Sequence, residues 1–350
     1  MKKYKIIWLI TICGLSCTPF IDIDPASPPS SSYAIILLTS DNPTGETETQ
    51  LSENIVVRVE RLDKTPVFKA NLQLTILEGE GRILSPNPIP TDTLGIIAIQ
   101  WELGPIPGSQ LIEITGIDFP NDASIKVRAT ALKKCPQQVE FNSEYYPTVL
   151  IQGEVDGNIV RQCWLARNLN VGERINVADQ IGSLDASIQK HCYDDLEINC
   201  QLYGGFYTWL EAMDRDTINF TRSICPPGWR IPTDLEWQLL ERIGGMNQEE
   251  AQQRTSCRGT TETPSVGDWL KSSGGSGFEA LLGGSISLDT NDNIVSSNLH
   301  KSGSYWTATN IKDGDKKEAI TRYFATNCHG GIGRGQSGIY NEANVRCIQN

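Results

Sequence analysis

The side chains of this 350-residue chain best suited to chemistry are its ten cysteines, three histidines and a few close-set carboxylates. Cys13 and Cys17 lie at the N-terminus. The other eight are Cys135, Cys163, Cys192, Cys200, Cys225, Cys257, Cys328 and Cys347, with none between Ser27 and Lys134. Zinc is not expected, because structural zinc sites use closely spaced sulfur and imidazole ligands and no Cys-x-x-Cys occurs. His191 adjoins Cys192, a pair that reads as a surface histidine beside a disulfide. A nucleophilic cysteine needs a free thiolate near a base. An even set of cysteines confined to one half of an exported chain instead predicts up to four disulfides. Eight cysteines allow about 105 full pairings, so spacing alone leaves the connectivity open.

The carboxylates offer two readings each. Asp289, Asn291, Asp292 and Asn293, and then Asp313, Asp315 and Glu318, are the candidates for calcium, which collects about six to eight oxygen ligands. The same stretches, DTNDN and KDGDKK, are ordinary turn sequences, so no metal and no cofactor is expected. Glu211 and Glu236 could be read as an acid–base pair. However, Thr208-Trp209-Leu210-Glu211 and Thr233-Asp234-Leu235-Glu236 both fit a capping box, threonine to the N3 amide and glutamate back to the cap. That predicts helices starting at Trp209 and Asp234, the second with Leu235, Leu239 and Leu240 as its apolar face and Trp237 on the flank. The glycine clusters at Ser273–Gly277, Gly283-Gly284-Ser285 and Gly330–Gly333 lack the Gly-Lys-Ser/Thr ending of a phosphate loop.

What positions these residues begins with the ends. A basic head, Lys2, Lys3 and Lys5, precedes the short apolar run Ile6–Leu15, which makes residues 1–16 a signal peptide. Gly14-Leu15-Ser16-Cys17 resembles a relaxed bacterial lipobox, in which cleavage leaves a lipidated cysteine, here Cys17; Gly14 departs from the usual leucine. Loss of the leader removes three lysines and no acid, moving the formal net charge from −12 to −15. Such acidity repels phosphate backbones, so no nucleic-acid partner is expected. Residues 17–32, rich in proline and serine, form an extended tether. The expected location is the outer membrane or cell surface, held by lipid alone.

Between Tyr33 and Leu132 apolar residues alternate with polar ones: Ile55, Val57, Val59; Leu72, Leu74, Ile76; Ile97, Ile99, Trp101; Ile112, Ile114; Ile125, Val127, Ala129. Turn clusters such as Asp63–Pro66, Glu78–Gly81 and Pro120–Asp122 bound them, which predicts a β-sandwich over 33–132. LQLTILEGEGRI, TDTLGIIAIQWELG and LIEITG resemble the bacterial Ig-like domains of surface adhesins. That resemblance implies a spacer or stalk, with Trp101 as core filler.

The second unit, 135–350, opens on a hairpin signal at Asp156-Gly157-Asn158, turns glycine-rich and strand-like after Gly244, and ends on Asn344–Ile348 as a final strand. CWLARNLNVG (163–172), CYDDLEINCQLYGGFYTWLEAM (192–213), ICPPGWRIPTDLEWQLL (224–240), GSYWTAT (303–309) and VRCI (345–348) resemble the Fibrobacter succinogenes major paralogous domain. WRIPTDLEW is also similar to a segment of the sulfatase-modifying, formylglycine-generating family. Both resemblances imply an α+β, C-type-lectin-like fold with two helices, a small sheet and disulfide-stapled loops. In that fold a cysteine near the second helix pairs with one on the last strand, which implies Cys225–Cys347. Cys192 with Cys200, Cys135 with Cys163, and the remaining Cys257 with Cys328 complete the set. The lectin EPN, QPD and WND motifs are absent. The implied function is non-enzymatic: adhesion, or binding of a glycan or surface protein, by the later loops between Gly274 and Gly338. A structural part of a surface assembly is the alternative, and an oxidase of the formylglycine-generating kind is the enzyme alternative.

Overall fold

The computed structural model describes residues 32–179, 187–215, 222–261, 264–271, 274–288, 293–313 and 316–350. The signal peptide, Cys17, nearly all of the tether and Asp289, Asn291, Asp292 and Asp315 lie outside them. The chain divides into two compact units, with the boundary between Lys134 and Cys135.

The described residues of the N-terminal unit form β-strands and their connections. One sheet orders the strands Tyr33–Leu37, Ile55–Arg61 and Ile96–Ile99. The other orders Thr44–Glu46, Ser124–Leu132, Gly108–Gly116, Asn71–Glu78 and Ile89–Pro90. Alternation places one face of each sheet inward. Ile55, Val57, Val59, Ile97 and Ile99 from the first sheet meet Leu72, Leu74, Ile112, Ile114, Val127 and Ala129 from the second in one buried cluster. Trp101 fills that core at 1% exposure. Ile76 and Ile125, expected in the same alternation, are only partly buried at its margin.

In the C-terminal unit the strands Glu144–Val155 and Asn158–Leu165 form the expected hairpin, with Val155 opposite Asn158. Asp156 and Gly157 take φ of 53° and 76°, the left-handed pair that a two-residue turn between twisted strands requires. Around them the sheet order is Gln138–Phe141, Glu144–Val155, Asn158–Leu165, Ile348–Gln349, Trp229–Arg230. A three-stranded sheet follows, Ser302–Asp313, Lys316–Ala325 and Gly333–Gly338 in that order. Tyr305 and Phe324 from this sheet enter one core cluster, and Trp306 and Ala319 enter another.

Several local expectations differ from the structure. The helix at Trp209 is a single turn, Trp209–Ala212. Cys200 sits in a helix, Glu197–Tyr203, that the sequence reading did not anticipate. Two short helices, Gln248–Gln252 and Val266–Leu270, interrupt the region after Gly244. The last strand is only Ile348–Gln349. In each case the segment is too short for periodicity to register, and packing decides its conformation.

Candidate functional site

The helix Asp234–Ile243 is the part of the C-terminal unit around which charge is organised. It starts where expected, on a complete capping box. The Glu236 amide donates to the Thr233 hydroxyl at 3.3 Å, and Glu236 Oε2 accepts from the Thr233 amide at 2.8 Å. Arg230 forks onto both Glu236 oxygens. Burial would raise the Glu236 carboxyl, but the Arg230 fork and the cap bonds outweigh it and hold it below the usual range. Glu236 is therefore a fixed anion at a helix start, not a proton donor.

The other box forms by half. The Glu211 amide donates to Thr208 Oγ1 at 3.2 Å. The Glu211 carboxylate, expected to return to the cap, instead accepts from the Gln189 amide at 2.7 Å and from Arg215 at 3.2 Å. A one-turn helix leaves the glutamate nearer a neighbouring segment than its own cap.

The buried face of Asp234–Ile243 corrects the leucine expectation. Leu235 is 64% exposed, and the buried residues are Asp234, Trp237, Leu240 and Glu241, spaced at i, i+3, i+6 and i+7. Glu241, with no exposed surface, accepts from Arg258 Nη1 and Nη2 at 2.8 and 2.9 Å and from Arg322 Nε at 2.5 Å. Asp234 accepts from Arg334 at 2.9 and 2.6 Å and pairs with Arg322 at 2.8 Å. Burial works to raise the Asp234 carboxyl, but Arg334 and Arg322 bring it down to about 2. A fourth buried guanidinium, Arg346, has neutral partners. It donates to Asn168 Oδ1 at 3.1 and 2.6 Å and to the Leu165, Phe278 and Glu279 carbonyls, and lies 4.5 Å from the Phe278 ring centre. Burial pushes Arg346 down to about 10. These residues were missed by sequence reasoning. The available signal was an arginine flanked by core residues, Ile320-Thr321-Arg322-Tyr323-Phe324 and Val345-Arg346-Cys347, and acids in register with Trp237.

His191 is also corrected. It is fully buried rather than on the surface, with Nδ1 2.8 Å from Glu342 Oε1 and Nε2 3.0 Å from the Asp179 carbonyl. Burial raises the Glu342 carboxyl, and His191 opposes that in part.

The cysteines close four bridges: Cys135–Cys163, Cys192–Cys200, Cys225–Cys347 and Cys257–Cys328. Cys225–Cys347 is the pair that the resemblance implied, and the other three are the pairs expected around it. Of the calcium candidates, Asp289, Asp292 and Asp315 lie outside the described residues, and Asp313 closes the strand Ser302–Asp313. Glu318 accepts from Gln336 Nε2 at 2.8 Å. Among the described residues no group of three or more histidine, cysteine or acid side chains is arranged to hold a metal ion.

Polar groups reach the surface at the end of the three-stranded sheet. The strand Gly333–Gly338 lies at its edge. Gly333 is there of necessity, because a Cβ would sit 2.1 Å from Tyr323 Cζ, whose half-buried ring lies against the strand. Arg254 donates to Gln336 Oε1 at 2.9 Å, Gln336 reaches on to Glu318, and Asn341 donates to Ser337 Oγ at 2.9 Å. Tyr340, next along the chain, is 66% exposed. This edge offers amide, hydroxyl, guanidinium and carboxylate groups together with exposed aromatic surface. Such groups can hydrogen-bond to and stack on a ligand.

The fold and its bridges define a class of protein, a β-sandwich unit followed by a disulfide-bridged α+β domain. Within that class the chain belongs to the Fibrobacter succinogenes major domain family, whose model matches residues 158–349. Among solved structures, the D00-D0 domain of intimin matches with TM-score 0.23 and 10% identity, over 30% of this chain and 51% of that one. Domains 1–6 of the surface layer protein SbsC match with TM-score 0.23 and 11% identity, over 38% of this chain and 22% of that one. The chain thus spans about half of the first structure and about a fifth of the second. No curated protein matches it.

Proposed function

We propose that this chain is an exported surface lipoprotein that binds an extracellular ligand without transforming it. Cys17 carries the lipid, the β-sandwich unit serves as an Ig-like spacer, and the C-terminal unit is the binding domain, C-type-lectin-like in kind. The ligand is a glycan or a surface protein. The observation that carries this reading is the pairing of all eight cysteines beyond the leader region. Disulfides persist outside the reducing cytosol, which supports export. A fully bridged set also leaves no thiolate for oxidase chemistry of the formylglycine-generating kind, which supports binding over catalysis. The strand edge with Tyr323, Gln336, Ser337, Tyr340 and Asn341 lies in and just beyond the Gly274–Gly338 region and supplies the contact groups.

Protease shaving of intact cells tests the location, and a glycan array with and without calcium tests the ligand class. The expected results are release of the C-terminal unit from whole cells and glycan binding weakened by Gln336→Ala or Tyr340→Ala. Protection from protease in intact cells would contradict surface exposure. Failure to bind any glycan in either condition would remove the lectin version.

A further inference from the structure

Lys190 lies on the two-residue strand Gln189–Lys190, paired with Glu173–Arg174, and is 5% exposed. Its Nζ donates to Asn170 Oδ1 at 2.6 Å. Among the described residues no carboxylate forms an ion pair with it. An unpaired ammonium is costly to bury, and burial does lower the Lys190 amine from its ordinary value. Asn170 is itself 6% exposed, and its side-chain amide is held at both ends. The oxygen faces the lysine, and Nδ2 donates to Glu144 Oε1 at 3.2 Å. Its backbone amide donates to the buried Tyr146 hydroxyl at 3.2 Å. The adjoining Val171 donates to Tyr207 Oη at 2.8 Å, so two buried tyrosines wall the site. Arg167 fixes Glu144 from the other side at 3.0 Å.

The geometry points to an intramolecular isopeptide bond between Lys190 and Asn170, formed by the chain itself with Glu144 as its proton carrier. With Nζ 2.6 Å from the amide oxygen, one carbonyl bond of about 1.23 Å places Nζ no more than about 3.8 Å from Cγ. Approach to contact of about 3–3.5 Å makes a near-attack arrangement. The neutral amine is the nucleophile. Its lone pair forms the Nζ–Cγ bond while the carbonyl electrons move onto Oδ1. Glu144 takes a proton from Nζ and returns it to Nδ2. The Cγ–Nδ2 bond then breaks, the carbonyl re-forms, and ammonia leaves. The product is an amide joining the two side chains, nothing is oxidised or reduced, and Glu144 ends as it began. The bond would tie the Gln189–Lys190 strand to the segment that follows the strand Asn158–Leu165.

Intact mass measurement of the secreted protein, unfolded and reduced, tests this directly. The mass should fall one ammonia short of that calculated for the processed chain with its lipid. Trypsin should fail to cut after Lys190, and fragmentation should give a branched peptide linking Lys190 to Asn170. Glu144→Gln and Lys190→Arg, checked for folding by near-ultraviolet circular dichroism, should keep the full mass. A folded wild-type protein that retains its full mass after prolonged incubation at alkaline pH overturns the proposal. So does ammonia loss that persists in Lys190→Arg. Cross-linking undiminished in Glu144→Gln overturns the role given to the glutamate.

Discussion

Replacing Glu241 with alanine should destabilise the C-terminal unit far more than replacing Leu235, although both lie on the helix Asp234–Ile243. Glu241 has no exposed surface and accepts three charge-assisted hydrogen bonds, two from Arg258 and one from Arg322. The cluster holds three guanidiniums against two carboxylates, so its charge of about +1 becomes about +2 when Glu241 is lost. Arg322 keeps Asp234 at 2.8 Å. Arg258 keeps only neutral contacts such as the Ala251 carbonyl at 2.9 Å. Removing one partner of a buried pair costs about 3–5 kcal/mol, because the other charge stays in low dielectric. Leu235 is 64% exposed, and a surface substitution stays within about 0.5 kcal/mol. Urea titration of the disulfide-intact protein, followed by near-ultraviolet circular dichroism, reads both. With a slope of about 1–3 kcal/mol/M, the Glu241→Ala midpoint should fall by about 1 M or more. A Glu241→Ala protein within about 1 kcal/mol of wild type, or a larger loss for Leu235→Ala, would refute the buried-charge account.

Acid should unfold this unit through the same cluster. Asp234, held at about 2 against an ordinary 3.8, contributes stability that is complete above the unfolded value. That contribution is lost as pH falls from there through about 2. The shift is worth about 2 kcal/mol, and Asp234→Asn should flatten that part of the stability–pH curve; an unchanged curve would contradict it. Glu342 runs in the opposite sense. Its raised carboxyl favours the folded state most below its ordinary value of 4.5, and that contribution declines as pH rises through the folded value. Glu342→Gln should remove that slope, as urea midpoints across pH would show. For the bridges, loop entropy ranks Cys225–Cys347, 122 residues apart, above Cys192–Cys200, 8 apart. Paired serine replacements should cost about 5 and about 2.5 kcal/mol respectively, and the reverse order by urea denaturation would count against an unfolded-state origin.

Much of the β-sandwich was legible because one face of each strand is buried. Val57 and Val59 or Ile112 and Ile114 could hardly alternate with polar residues for another reason. The Thr233 cap was legible because its partners lie within one turn. The Asp234 and Glu241 face was not, because acids on a helix read as solvent-facing until their partners are known. Arg322 and Arg334 come from a distant sheet that local pattern does not reveal. His191 misled for the same reason, since its partner Glu342 lies 151 residues on. Lys190 and Asn170 are separated by 20 residues with no motif between them, and only the fold shows that a lysine amine is buried against an amide. Cys225–Cys347 was accessible through family resemblance, since its halves lie 122 residues apart, whereas Cys192–Cys200, 8 apart, can close locally.

The proposed binding role requires a fully bridged C-terminal unit with no reactive thiol. Thiol titration of the processed, unreduced protein from native cells, unfolded in denaturant, tests it most directly. No reactive thiol is expected, with mapped bridges at Cys135–Cys163, Cys192–Cys200, Cys225–Cys347 and Cys257–Cys328. One or more free thiols among those eight residues would contradict it and restore a nucleophile to the site.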